Sequence, residues 1–233
     1  MPDHSHIYMN ETEQYELLIS REDYQHNIMR EIHKIIPNVN KLDVLDMGAG
    51  TGRLSCLLAP HVQSIIATDA SSAMLACAGR NLTSIGATNW QTYLADNRSL
   101  PIAAQTVDLV TAGWTICYST STNVQQWDEN LEQITKEIQR VLRPSGTVII
   151  FENYGSGVET PNPPDYLLRY YEALELDYGY SHEYFRTDSQ FESIEEAERL
   201  FRFFFGNDYA DRVKKRQQTI VPACTGVWWR TYE

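Results

Sequence analysis

Apolar side chains in the first part of the chain recur at three- and four-residue spacings, at Leu17, Leu18, Tyr24, Ile28, Ile32, Ile35 and Ile36. That period lines one stripe of a helix and predicts helical structure over residues 11–36, closed by Pro37 and Asn38. From Lys41 the pattern becomes short apolar runs alternating with amphipathic ones. Residues 44–46, 64–68, 90–95, 107–112 and 147–152 are predicted strands; the fourth is apolar almost throughout, as a strand covered on both faces must be. Residues 53–60, the Ala/Met/Leu-rich run opened by Ser71 or Ser72 as N-cap, and residues 131–142 are predicted helices. Strands alternating with helices require right-handed crossovers, so the fold class is α/β with a doubly wound, mostly parallel sheet.

After residue 152 the regularity breaks. Residues 153–164 are rich in Gly and Pro and predict a loop. A tyrosine-dense helix is expected over 165–176, a strand over 184–187, a helix over 194–205 and a terminal strand over 225–231. The basic run 212–216 fits a solvated helix face. One domain is expected, in three parts: a helical N-terminal cap over 1–40, a core over 41–152, and an insertion plus the last part of the sheet over 153–233.

Composition narrows the partners. With 233 residues, 42% hydrophobic and 21% charged, the chain can bury a sizeable core. Its formal charge of −12 repels phosphate backbones, which disfavours nucleic acid. No uncharged apolar run approaches the roughly 20 residues of a membrane span, and the N-terminus lacks the basic start and apolar core of a signal peptide. Cys56, Cys77, Cys117 and Cys224 are scattered, with no paired spacing, so buried free thiols in a cytoplasmic protein are expected and no metal site.

Candidate chemistry concentrates in Asp46-Met47-Gly48-Ala49-Gly50-Thr51-Gly52-Arg53, where a predicted strand becomes a helix. Glycines there admit left-handed backbone and a ligand close to the chain, at the carboxyl edge where doubly wound sheets bind ligands. Asp69 closes the next strand 21 positions after Gly48. An acidic residue about 20 positions beyond the first glycine is suited to ribose hydroxyls. The glycine spacing differs from the dinucleotide fingerprint, and Asp46 in front of it opposes a pyrophosphate but suits an ammonium and a sulfonium. Gly52 serves either the ligand or close helix–strand packing; Asp46 either faces the ligand or orients the loop.

With these features the chain resembles the class I S-adenosylmethionine-dependent methyltransferases, in their small-molecule branch, over residues 42–152. The resemblance extends through Asp69-Ala70-Ser71-Ser72-Ala73-Met74, Leu94-Ala95-Asp96-Asn97 with Leu100-Pro101, Val107-Asp108-Leu109-Val110 and Arg143-Pro144-Ser145-Gly146. It implies a seven-stranded, Rossmann-like sheet and S-adenosyl-L-methionine as cofactor. It also implies a cofactor site of Asp46, Gly48, Gly50, Gly52, Asp69, Ala70, Met74, Asp96, Asn97 and Gly113. In it Asp69 would take the ribose, Met74 pack on the adenine, and Asp96 and Asn97 approach its polar edge.

Methyl transfer from a sulfonium is an in-line displacement that dictates no particular protein side chain. Glu152, ending the fifth strand, and His182 are candidate bases. Trp114, Tyr118, Tyr170 and Arg186 are candidates for the acceptor pocket. The N-terminal helices, carrying Tyr8, Tyr15 and Tyr24, occupy the position of a lid in such enzymes. The expected partner is a small organic acceptor, acted on by a monomer or homodimer. A protein or RNA acceptor, a non-catalytic cofactor-binding module and a nucleotide-dependent oxidoreductase stand as alternatives.

Overall fold

The computed structural model describes residues 3–233. Three short helices come first: α1 (His4–Asn10), α2 (Thr12–Ser20) and α3 (Asn27–Ile35). The single helical stretch expected over 11–36 is broken because Asp23 and His26 take left-handed φ values of 53° and 57°. Buried Asp23 then accepts from the N–H groups of Asn27 (2.8 Å) and Ile28 (3.0 Å), and so starts α3 afresh.

The alternating region follows as β1 (Asp43–Met47), α4 (Arg53–Leu58) with a 3-10 turn after it, and β2 (Ser64–Asp69). Next come α5 (Ser72–Ser84), β3 (Trp90–Leu94) and β4 (Val107–Gly113). Ser71 caps α5 by accepting from the N–H of Met74. Then come α6 (Cys117–Thr120), α7 (Trp127–Val141) and β5 (Leu142–Ser156). The last part contains α8 (Asp165–Leu176), β6 (Ser181–Arg186), β7 (Ser189–Gln190), α9 (Ile194–Phe205), α10 (Asn207–Arg216), β8 (Ile220–Val221) and β9 (Ala223–Thr231). The basic run lies in α10.

Seven strands form one sheet in the order β3-β2-β1-β4-β5-β9-β6, parallel from β3 to β5 and antiparallel at β9 and β6. Alternate side chains serve opposite layers. Leu45, Met47, Val110, Ala112, Val148 and Ile150 pack with α7 and α8, while Val44, Ile65, Leu109, Ile149 and Phe151 pack with α3 and α4. A third cluster, including Leu18, Phe191, Leu200, Phe201, Val213 and Val221, joins α2 to α9, α10 and the small β7–β8 ribbon. β5 runs into the expected loop because β9 pairs with it as far as Ser156 opposite Ala223. Strand order reverses between β1 and β4, so the glycine turn after β1 and the segment after β4 flank the topological switch point. Among the described residues no helix is long and apolar enough to cross a membrane.

Trp228 ties the antiparallel part to the rest. Its fully buried ring stacks on His182 (centroids 4.3 Å) and Tyr171 (4.4 Å), and its Nε1–H donates to Glu175 (3.1 Å). Trp228→Ala is expected to lower unfolding stability by about 3–5 kcal/mol in urea titration followed by circular dichroism; a loss below about 1 kcal/mol would contradict this packing.

Candidate active site

Two glycines of the turn answer to different constraints. A Cβ at Gly48 (φ 65°) would lie 1.9 Å from Thr115 Oγ1, whereas one at Gly50 (φ 56°) would meet no atom within 4 Å. Gly48 is therefore required by packing against the segment after β4, while Gly50 turns its face to open space. Gly52, ahead of α4, packs closely on Ala78 of α5, a contact between two helices and not between helix and strand. Gly113, at the end of β4, abuts Leu54.

Asp46 lies under the turn, 1% exposed. It accepts hydrogen bonds from Ser55 Oγ (2.6 Å) and Thr111 Oγ1 (3.3 Å), which join β1 to α4 and β4. Burial pushes its carboxyl up to about 6 against these bonds. Its hydrogen bonds thus go to the helix after the turn and to the neighbouring strand.

Asp69, half-buried at the end of β2, accepts from the N–H of Gly50 at Oδ2 (2.9 Å) and of Ser71 at Oδ1 (2.8 Å). Burial raises its pKa while the backbone donors act in the opposite sense. One carboxylate thus joins the glycine turn to the start of α5. Ala70 beside it is exposed, and Met74, one turn further on, is buried. At the end of β3, Asp96 pairs with Arg98 (2.6 Å), which holds its carboxyl below the usual range. Asn97 donates from Nδ2 to Thr115 Oγ1 (3.2 Å). Thr115 therefore touches both the glycine turn and the loop after β3. Sequence reasoning missed it, and its only signal was its position two residues beyond Gly113.

The other side of the switch point is aromatic. Trp114 takes a left-handed φ of 51°, and its N–H donates to the Phe151 carbonyl (2.7 Å). The Arg53 guanidinium lies 4.4 Å from the centroid of its ring and pairs with Glu22 between α2 and α3 (2.5 Å). Arg53 and Glu22 were also missed, because nothing local marks a contact between residues 31 positions apart. Above the strand ends, the hydroxyls of Tyr8 and Tyr118 are hydrogen-bonded to each other. The Tyr8 carbonyl accepts from Ser71 Oγ (3.1 Å), and its ring packs on Tyr15 (5.3 Å), which in turn meets Phe204 (5.4 Å). Helices α1 and α2 so form a roof over the carboxyl ends of β1, β2 and β4.

Glu152 is completely buried at the end of the straight part of β5. Its Oε1 accepts from the Cys117 N–H (3.0 Å) and the Tyr170 hydroxyl (3.3 Å), and its Oε2 has no partner. Burial pushes its carboxyl up to about 7. Glu152, Tyr170 and Tyr118 are thus brought into one neighbourhood, with Cys117 between them. His182 and Arg186 are placed elsewhere. His182 sits two strands from β5 and level with Ile150, stacked on Trp228 with Nδ1 3.5 Å from Glu175; burial lowers its pKa. Arg186 is held by Asp188 (2.8 Å) and the Glu159 carbonyl (3.2 Å).

The raised pKa of Asp46 has a signed consequence. The folded state holds this proton more tightly than the unfolded chain, whose ordinary value is 3.8. The group's contribution to stability is therefore full below about pH 4 and falls as pH rises towards 6. Asp46→Asn, which keeps an acceptor for the hydroxyls, is expected to flatten that decline in urea midpoints measured from pH 4 to 7. Parallel profiles for the two proteins would contradict the buried, proton-retaining carboxyl.

Residues 45–150 match the family model described as a methyltransferase domain. Malonyl-[acyl-carrier protein] O-methyltransferase of Methylovorus sp. (strain MP688) is 32% identical over 145 residues, 59% of this chain and 44% of that protein. Phosphoethanolamine N-methyltransferase 1 of Caenorhabditis elegans is 26% identical over 134 residues, 58% of this chain and 26% of that protein. The chain spans less than half the length of either relative. Among solved structures, the YcgJ protein of Bacillus subtilis superposes with a TM-score of 0.59 at 15% identity, over 89% of this chain and 99% of that one. A phosphoethanolamine N-methyltransferase 2 of Haemonchus contortus, solved with S-adenosylhomocysteine, gives 0.56 at 18% identity, over 90% and 52%. These two likenesses establish the fold. The matched domain, the sheet order and the glycine turn all agree with the class I S-adenosylmethionine-dependent methyltransferases, which this chain resembles.

Proposed function

We propose that this protein transfers the methyl group of S-adenosylmethionine to a small organic acceptor at the carboxyl edge of β1, β2 and β4. The observation that carries the reading is the convergence of Gly50, Asp69 and Ser71: a carboxylate that holds a left-handed glycine whose Cα faces unfilled space. The donor set fits the cofactor. Asp69 keeps unused acceptor capacity beyond its two N–H bonds, suited to two ribose hydroxyls. Asp96 and Asn97 end the neighbouring strand, suited to the adenine amino group and ring edge, with Ala70 and Met74 beside them. Gly48, Gly52, Gly113 and Asp46 shape the turn.

The cofactor supplies an already activated methyl group on a sulfonium. What remains for the chain is to orient the acceptor and exclude water, which supplies much of the acceleration of a displacement between bound groups. The roof of Tyr8, Tyr15, Tyr118 and Phe204 suits that task and a small acceptor better than a polymer. The formal charge of −12 likewise disfavours RNA. The relatives' names include an acyl-carrier-bound malonyl acceptor and a phosphorylated amine, so the resemblance leaves the acceptor open.

S-adenosylhomocysteine binding by calorimetry tests the reading. Asp69→Asn is expected to weaken it by about 10- to 100-fold, the worth of losing a charge-assisted hydrogen bond, with the circular dichroism spectrum retained. Equal affinity in the two proteins would remove the ribose role of Asp69, and absence of binding to the wild type would overturn the cofactor site.

A further inference from the structure

The acid that ends the straight part of β5 lacks the counter-charge that its burial demands. Glu152 is 0% exposed, and its two hydrogen bonds both end on Oε1, leaving Oε2 buried and unpartnered. The titratable groups around it are Cys117 of α6 and Tyr170 of α8, which donate to it, with Tyr118 and Tyr171 next to them in sequence. All four are neutral at ordinary pH, and burial drives each further from ionising. Among the described residues no Arg, Lys or His pairs with Glu152. The nearby cation of the switch point, Arg53, is already matched by Glu22. A carboxylate in this setting is costly, so the group holds its proton towards neutral pH unless a cation arrives to share the charge.

A purely structural role leaves the second oxygen of the acid unused. Capping the start of α6 and accepting from Tyr170 use a single oxygen, and a glutamine carbonyl performs both. The surroundings also select by charge. Asp69 and Glu152 repel anionic acceptors, and Tyr118, next in sequence to the Cys117 that donates to Glu152, packs its ring on Tyr8 (5.7 Å), an aromatic pair suited to a cation.

We propose that the acceptor is an amine that enters as its ammonium ion and is held by Glu152 Oε2 beneath the Tyr8–Tyr118 pair. The inference rests on the reading of the chain as a small-molecule methyltransferase. Held there, the ammonium loses one proton to Oε2: an N–H bond breaks, an O–H bond forms, and the electron pair remains on nitrogen. The amine becomes neutral and nucleophilic, and Glu152 becomes the neutral acid. Nothing is oxidised or reduced. Glu152 titrates at about 7, so its carboxylate accepts this proton more readily than an ordinary surface carboxylate would.

The test uses the full chain and its Glu152→Gln and Glu152→Asp variants, each checked for native circular dichroism. Calorimetry with S-adenosylhomocysteine comes first. Equal affinity across the three proteins is expected. A more than tenfold loss in Glu152→Gln would mean that the acid reads the cofactor's own α-ammonium, which overturns the proposal. Failure of the wild type to bind would instead overturn the broader functional reading. The saturated complexes are then titrated with n-alkyl and arylalkyl primary amines and with the matching alcohols and carboxylates. The wild type is expected to bind at least one amine at least tenfold more tightly than its alcohol or acid. Glu152→Gln should lose that preference, and Glu152→Asp should keep part of it. Binding of no amine, a preference for the neutral or anionic partner, or amine binding unchanged in Glu152→Gln each overturns the proposal.

Discussion

Two backbone N–H groups converge on one carboxylate: Gly50 from the turn after β1 and Ser71 from the start of α5 both donate to Asp69. Parallel pairing puts the ends of β1 and β2 side by side, with Met47 opposite Thr68, so this bridge spans adjacent strand ends. The turn can then be made of glycines without becoming floppy, because an acid at the foot of the next helix holds its middle residue. Ahead of the turn, Asp46 ties β1 to α4 and β4 through buried hydroxyls, and Thr115 closes the space beside Gly48. The geometry of the cleft follows from these three supports.

Much of this arrangement was legible in the sequence, for identifiable reasons. Strands covered on both faces appear as mostly apolar runs, so 107–112 and 147–152 stood out, and the distance from Gly48 to Asp69 carries its own geometric meaning. Contacts between distant segments left no such trace. The break after α2 depends on two left-handed residues, Asp23 and His26, neither of them glycine. α1 has few apolar positions of its own and gains its place from Ser71, Tyr118 and Phe204. The extension of β5 to Ser156 depends on β9, nearly 70 residues away along the chain.

The same limit applied to the site. His182 and Arg186 looked equally eligible as polar residues in an aromatic stretch. Only the antiparallel register shows that β6 is an outer strand, with His182 level with Ile150 and Arg186 committed to Asp188. Glu152 differed from them by one property readable in sequence, its place at the end of a central parallel strand, which sets it against Cys117 and Tyr170 and not on an outer strand. Thr115 and Arg53 carry no type-specific signal and become visible only when separate loops are assembled.

Arg53 follows Gly52 directly, and its guanidinium lies on Trp114 and against Glu22. One side chain therefore clasps three pieces: the glycine bend, the stretch beyond β4 and the connector that leads out of α2. Lifting α2 would strip a mostly buried cation of its counter-ion, and shifting Trp114 would remove the surface on which it rests. Roof and bend are in this way tied through a single charge, so a change in the seating of α2 is felt at the residue that follows Gly52.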